Sequence, residues 1–145
     1  MNTIREKDRD ISILEYFNVL QSEYIYFELR SKIYPAAKDK SYFRKVMEFK
    51  ESKIRDISSK NNLISIFDSE HKMNDFRKMF FDQNGVPRRL GKRDWYFYYK
   101  IDADFSYMGE GVKLKKYDLD DKTAIVQLDT GDMVQTALSQ ISRIL

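Results

Sequence analysis

Apolar residues recur at helical spacing through the first part of the chain and at alternate positions through the last. In ISILEYFNVLQSEYIYFELRSKIY, the residues Ile13, Phe17, Leu20, Tyr24 and Phe27 step by four and three, which places them on one helical face. Asp10 is the predicted N-cap, because a short carboxylate accepts from the unpaired N–H groups of a first turn. Pro35 cannot continue a helical ladder, so the helix is expected to stop near Lys32–Tyr34. A second helix is expected from Asp39 or Ser41, with Phe43, Val46, Met47, Ile54 and Ile57 as its stripe. It frays through SSKNN, where Asn61 or Asn62 suits the left-handed conformation that ends helices. The run LISIF (63–67) fits a short strand and a helical turn equally. A third helix follows Asp68 or Ser69, carries Met73, Phe76, Met79 and Phe80, and ends at the pair Asn84-Gly85.

From Trp95 the period changes to two. Trp95, Phe97, Tyr99, Ile101, Ala103 and Phe105 alternate with more polar residues, which predicts a long half-buried strand with Tyr96 and Tyr98 on its other face. GVKLKKYDL, TAIVQLD (Ala124, Val126 and Leu128 inward) and MVQTAL follow as strands. DLDDK and DTGD are turns, and SQISRIL closes as a short helical turn. All five glycines lie after residue 84, so turn-forming residues are confined to the second part. The expected fold is α+β: an antiparallel helical domain over 1–84, a connector over 85–94, and a β-rich domain over 95–145. Whether the meander closes into a barrel is left open.

Composition narrows the chemistry. At 145 residues the chain can bury a core without covalent staples, and it contains no cysteine, which removes disulfides and thiol catalysis. With His71 as the one histidine, no zinc ligand set is available. No phosphate-loop glycine motif, nucleophile elbow or paired-acid signature is present, so an enzyme, a cofactor and a bound metal are not expected. The polar MNTIREKDRD start is no signal peptide and no apolar run is long enough to span a bilayer, which predicts a cytoplasmic protein without membrane attachment.

The net charge of +3 is unevenly spread. Residues 85–100 hold five bases (Arg88, Arg89, Lys92, Arg93, Lys100) against one acid, Asp94, whereas residues 101–145 hold five bases against eight acids. A basic cluster interleaved with rings is the pattern of a phosphate-gripping, base-stacking surface, with Tyr96 and Tyr98 as the stacking rings. The alternative is a solvated loop whose arginines pair with carboxylates. The acids Asp118, Asp120 and Asp121 and the pair Asp129 and Asp132 fit turn chemistry, and His71 a surface or capping place.

The tail carries a likeness to a known module. Gly111-Val112, the run Ala124-Ile-Val-Gln-Leu-Asp129, Gly131 and the spacing Leu138, Ile141, Ile144 resemble the SH3-like small barrels of the Tudor and KOW type. That resemblance implies a small barrel that binds rather than catalyses: methylated residues in an aromatic cage, here with Tyr107 and Tyr117 as cage candidates, or nucleic acid and nucleoprotein complexes. The leading expectation is therefore a non-enzymatic binding or adaptor protein that contacts nucleic acid or a nucleoprotein. The other is an assembly subunit of a larger complex or viral particle, joined to protein partners through surplus rings such as Tyr16, Tyr24, Tyr26, Tyr34 and Phe43.

Overall fold

The structure, a computed structural model, describes residues 3–6, 9–83 and 86–145, with backbone alone for residues before Ser12. The chain forms two compact units, Met1–Met79 and Phe80–Leu145. The architecture is α+β: helices dominate the first unit, and a five-stranded antiparallel sheet dominates the second. Among the described residues no helix is long and apolar enough to cross a membrane.

In the first unit a hairpin of β1 (Thr3–Glu6) and β2 (Arg9–Ser12) leads into α1 (Ile13–Ile33). Ser12, rather than Asp10, is the N-cap, its hydroxyl accepting the Glu15 N–H at 3.1 Å; Asp10 falls within β2. The three residues 34–36 turn the chain into α2 (Ala37–Asn61), which starts directly after Pro35 and Ala36. It runs through SSKNN without fraying and ends at Asn62 with φ 53°. Phe17, Leu20 and Ile54 form the sealed centre of this unit, with Tyr16, Tyr24, Ile57, Leu63 and Phe67 packed on it. Each such fully buried side chain contributes about 2–3 kcal/mol.

The LISIF run is neither strand nor helix. It is a loop held by Gln21 of α1, which is 0% exposed. Gln21 Oε1 accepts the Ile66 N–H at 2.9 Å, and its Nε2 donates to Asn18 Oδ1 at 3.1 Å. Helix α3 (Glu70–Lys78) is capped by Ser69 and tied to α1 by a two-pronged ion pair, Arg77 to Glu28, at 2.9 and 3.0 Å. The Asn84-Gly85 end predicted for it lies outside the described residues, and the helix itself stops at Lys78.

The rings expected to serve as surplus interface are largely consumed inside this unit. Tyr34 and Phe43 are buried and meet edge to face at 5.1 Å, and Tyr24 does the same with Phe67 at 4.9 Å. The Arg30 guanidinium lies 4.8 to 5.6 Å from the rings of Phe43, Tyr26, Phe27 and Tyr34. The sequence count of rings missed this, because a cation on the ring faces gives them an intramolecular partner.

The second unit differs from expectation at its start. Trp95 does not begin a strand: Lys92–Tyr98 is a helix, α4. The sheet then consists of β3 (Asp104–Tyr107), β4 (Glu110–Asp118), β5 (Thr123–Gln127), β6 (Met133–Ala137) and β7 (Ile141–Arg143), all antiparallel, in the order β6-β5-β4-β3-β7. A 3-10 turn, Leu138–Gln140, carries the chain from one edge strand to the other. SQISRIL is therefore part turn and part strand. Inward residues Phe105, Val112, Leu114, Ala124, Val126, Leu138 and Ile141 make the core, and Leu128, expected inward, is half-buried.

Strand β4 explains its own lysines. The pairing shifts between Leu114 and Lys116, so Lys115 is an unpaired bulge residue. Without it the alternation would turn Tyr117 outward. With it, Tyr117 stands opposite Ala124 and its ring reaches Tyr99 at 5.3 Å.

Candidate nucleic-acid interface and the adjoining cavity

The basic segment is built in two pieces. Phe81 and Pro87 form a bridge, and the Arg88 N–H donates to Phe80 O at 2.8 Å, so a tight return delivers Arg88 and Arg89 to the surface. Arg89 then takes φ 64°, a left-handed conformation that costs a side-chain-bearing residue about 1 kcal/mol relative to glycine. Gly91 starts α4. The carboxylate of Asp94 turns back to accept the Gly91 N–H at 3.2 Å and is only 3% exposed.

A helix at 100° per residue sorts the ring-rich stretch differently from a strand. Asp94, Trp95 and Tyr98 share the inward side, whereas Lys92, Arg93 and Tyr96 share the outward side, with Phe97 half-buried beside them. Tyr96 is 65% exposed, and the Arg93 guanidinium lies 5.7 Å from the Phe97 ring. Lys100 is exposed just beyond the helix. Six of the seven residues singled out from the sequence are thus exposed: Arg88, Arg89, Lys92, Arg93, Tyr96 and Lys100.

Tyr98 is the correction. It is 1% exposed, and its hydroxyl oxygen accepts the Arg143 N–H at 3.2 Å, so it cannot offer a face to a base. Burial pushes its pKa up, against the pull of hydrogen bonds from Arg143 and Ser142. Tyr99 beside it is equally buried, and its pKa is raised further by the same cause and by Tyr98, Asp82 and Tyr117. The Arg143 side chain closes this side of α4, its Nη1 donating to the carbonyl oxygens of Phe97 and Tyr98. A strand would have spread these rings over two faces; the helix stacks them. Trp95 lies flat on Tyr99 (5.5 Å, 5°) and Tyr99 flat on Phe105 (5.9 Å, 4°), a three-ring column with Trp95 at its end.

That end of the column opens on a cavity of about 980 Å³. Arg88, Arg89 and Trp95 line one side, Lys122 of the β4–β5 turn and Thr123 at the start of β5 another, and Gln135 of β6 a third. Asp82 and Asp121 also reach its wall, so three cations face two carboxylates. Lys122, like Arg89, is left-handed, at φ 58°. Sequence reading missed Gln135 and Lys122, which no local pattern marks.

The two cage candidates do not meet. Tyr107 ends β3 opposite Glu110 at the start of β4, and Tyr117 lies near that strand's other end. Seven residues of extended chain separate the levels by roughly 20 Å. Tyr117 packs instead against Tyr99 at 5.3 Å, tilted by 33°. The acidic turns behave as turn chemistry: Asp118 Oδ1 accepts the N–H groups of Asp120 and Asp121 at 2.9 and 3.0 Å. His71 sits exposed on α3 beside Asp75 at 3.2 Å.

Comparison with models of protein families, with curated proteins and with solved structures finds no match to this chain.

Proposed function

We propose that the second unit is a non-enzymatic binding module that holds a nucleic-acid strand against the outward side of α4 and the arginines before it. One observation carries the reading. Between Gln83 and Ile101 the only acid is Asp94, and it is turned inward to serve the helix start, while Arg88, Arg89, Lys92, Arg93 and Lys100 stay exposed around Tyr96. Phosphates would pair with the cations and a base would stack on Tyr96. The strand order, a four-strand meander whose fifth strand returns through a 3-10 turn to pair with the first, supports an SH3-like small barrel as its frame.

Fluorescence anisotropy with a labelled single-stranded oligonucleotide tests this. Affinity should fall steeply with salt, and replacing Lys92 and Arg93 together by Ala should reduce the log–log salt slope by about 1.4, roughly 0.7 per lost phosphate contact. Tyr96→Ala should cost about 1–3 kcal/mol of binding if a base stacks there. No binding at low salt refutes the proposal. The assembly-subunit reading rests on different residues, Tyr42 (57% exposed) and Phe49 (62% exposed), seven apart on α2. A partner that stays bound after nuclease treatment and is lost on Tyr42→Ala and Phe49→Ala would favour it.

A further inference from the structure

We infer that the cavity beside Trp95 seats one nucleotide unit, its base extending the Trp95–Tyr99–Phe105 column and its phosphate meeting Arg88 and Arg89. The inference deepens the nucleic-acid reading and rests on it; it shares Arg88 and Arg89 with that surface and adds Trp95 and the rest of the cavity wall.

Three observations converge. First, the ring column is nearly parallel throughout, and Trp95, its terminal ring, is half-buried and lines the cavity. A planar ligand adds a fourth layer with the geometry the column already has. Second, the cavity of about 980 Å³ falls within the range of roughly 300–1,000 Å³ typical of small-ligand sites. Third, two of its cations, Arg89 and Lys122, occupy left-handed positions where glycine is the easier residue. Among the described residues neither forms an ion pair, so their charges are not spent on a carboxylate. A ligand with a flat aromatic body and an anionic group satisfies both features, and a nucleotide is the common biological class that has both. The remaining polar wall fits its edges. Gln135 both donates and accepts, and Asp82 and Asp121 accept from base amino or ribose hydroxyl groups.

Trp95 is the only tryptophan, so tryptophan fluorescence reports from the wall of this cavity. The full chain is titrated with adenosine monophosphate and, separately, with an unlabelled single-stranded oligonucleotide. Saturable quenching of Trp95 is expected, weakened about tenfold in Arg88→Ala and in Arg89→Gly but not in the charge control Lys116→Ala. Arg89→Gly should keep the wild-type unfolding midpoint, because it relieves the backbone, so its loss of binding is not a loss of fold. Quenching by the mononucleotide identifies a free nucleotide as sufficient, whereas quenching by the oligonucleotide alone identifies a unit of a strand. Oligonucleotide binding seen by anisotropy with no change in Trp95 overturns the cavity site and leaves the α4 surface standing. Quenching that ignores both arginine variants also overturns it. Absence of both signals overturns the two readings together.

Discussion

Replacing Arg143 by Met keeps the aliphatic stem in β7 and removes the guanidinium that joins this strand to the end of α4. In the wild type its Nη1 serves the Phe97 and Tyr98 carbonyls, and the latter contact is 3.2 Å. These are among the carbonyls that a helix cannot pair by itself. A hydrogen bond from a charged donor contributes about 1.5–3 kcal/mol. Against that stands a cost: burial lowers the Arg143 pKa, and its Nε is buried without a hydrogen-bond partner. Taking one strong bond as lost and the desolvation as partly recovered gives a net destabilisation of about 2 kcal/mol. Urea unfolding followed by Trp95 fluorescence isolates the second unit, since the first has no tryptophan. The partner variant Tyr98→Phe removes the acceptor of the Arg143 N–H at 3.2 Å and should cost about 1 kcal/mol. Because both contacts close the same joint, the double variant should lose less than the sum. An unfolding free energy for Arg143→Met within about 0.5 kcal/mol of wild type would refute the reasoning, since surface changes alone stay inside that range.

In the first unit, Gln21→Leu leaves the Ile66 N–H without its acceptor in a sealed site and should destabilise by about 1–3 kcal/mol, whereas Gln21→Glu, which keeps an acceptor oxygen, should behave differently in its pH dependence; chemical denaturation followed by circular dichroism measures both. Alkaline pH should destabilise the second unit. Tyr98 and Tyr99 have folded pKa values raised above the ordinary value near 10, so their protonated forms carry no penalty below that pH. Above it the unfolded chain releases protons that the folded chain keeps, and stability falls by up to about 1.4 kcal/mol per pH unit for each tyrosine. Tyr99→Phe should flatten that decline, and a slope unchanged by this substitution would contradict the assignment.

Much of the fold was legible because it was written locally. Pro35 and Asn62 end α1 and α2 close to where backbone sterics require, and the glycine-bounded alternation of β4 to β6 matches their pairing. The capping signature Ser12-x-x-Glu15 was also present, two residues after the cap chosen. WYFYYK was misread because a run of rings satisfies both periods at once. The deciding signal was upstream: Gly91 followed three residues later by Asp94 is a helix start. Tyr98 and Tyr99 are both buried although adjacent, which neither ideal period predicts, because the helix stops at Tyr99 with ψ 51°. The hairpin Thr3–Ser12 left no apolar signature, since its pairing is made by backbone. At the candidate site the arginines stood out as charge. Their meeting with Gln135 across more than forty residues is a product of the sheet's topology, which local pattern does not encode.

That topology sets a folding order. Strand β3 is the first of the sheet in the chain, yet one of its two neighbours is β7, the last. The meander from β3 to β6 assembles from adjacent hairpins, while Phe105 opposite Arg143 closes only after 37 intervening residues have collapsed. Non-local closure is slow. Until it happens, the outer edge of Asp104–Tyr107 carries unpaired backbone groups next to a large ring, the form in which one chain is most apt to pair with another.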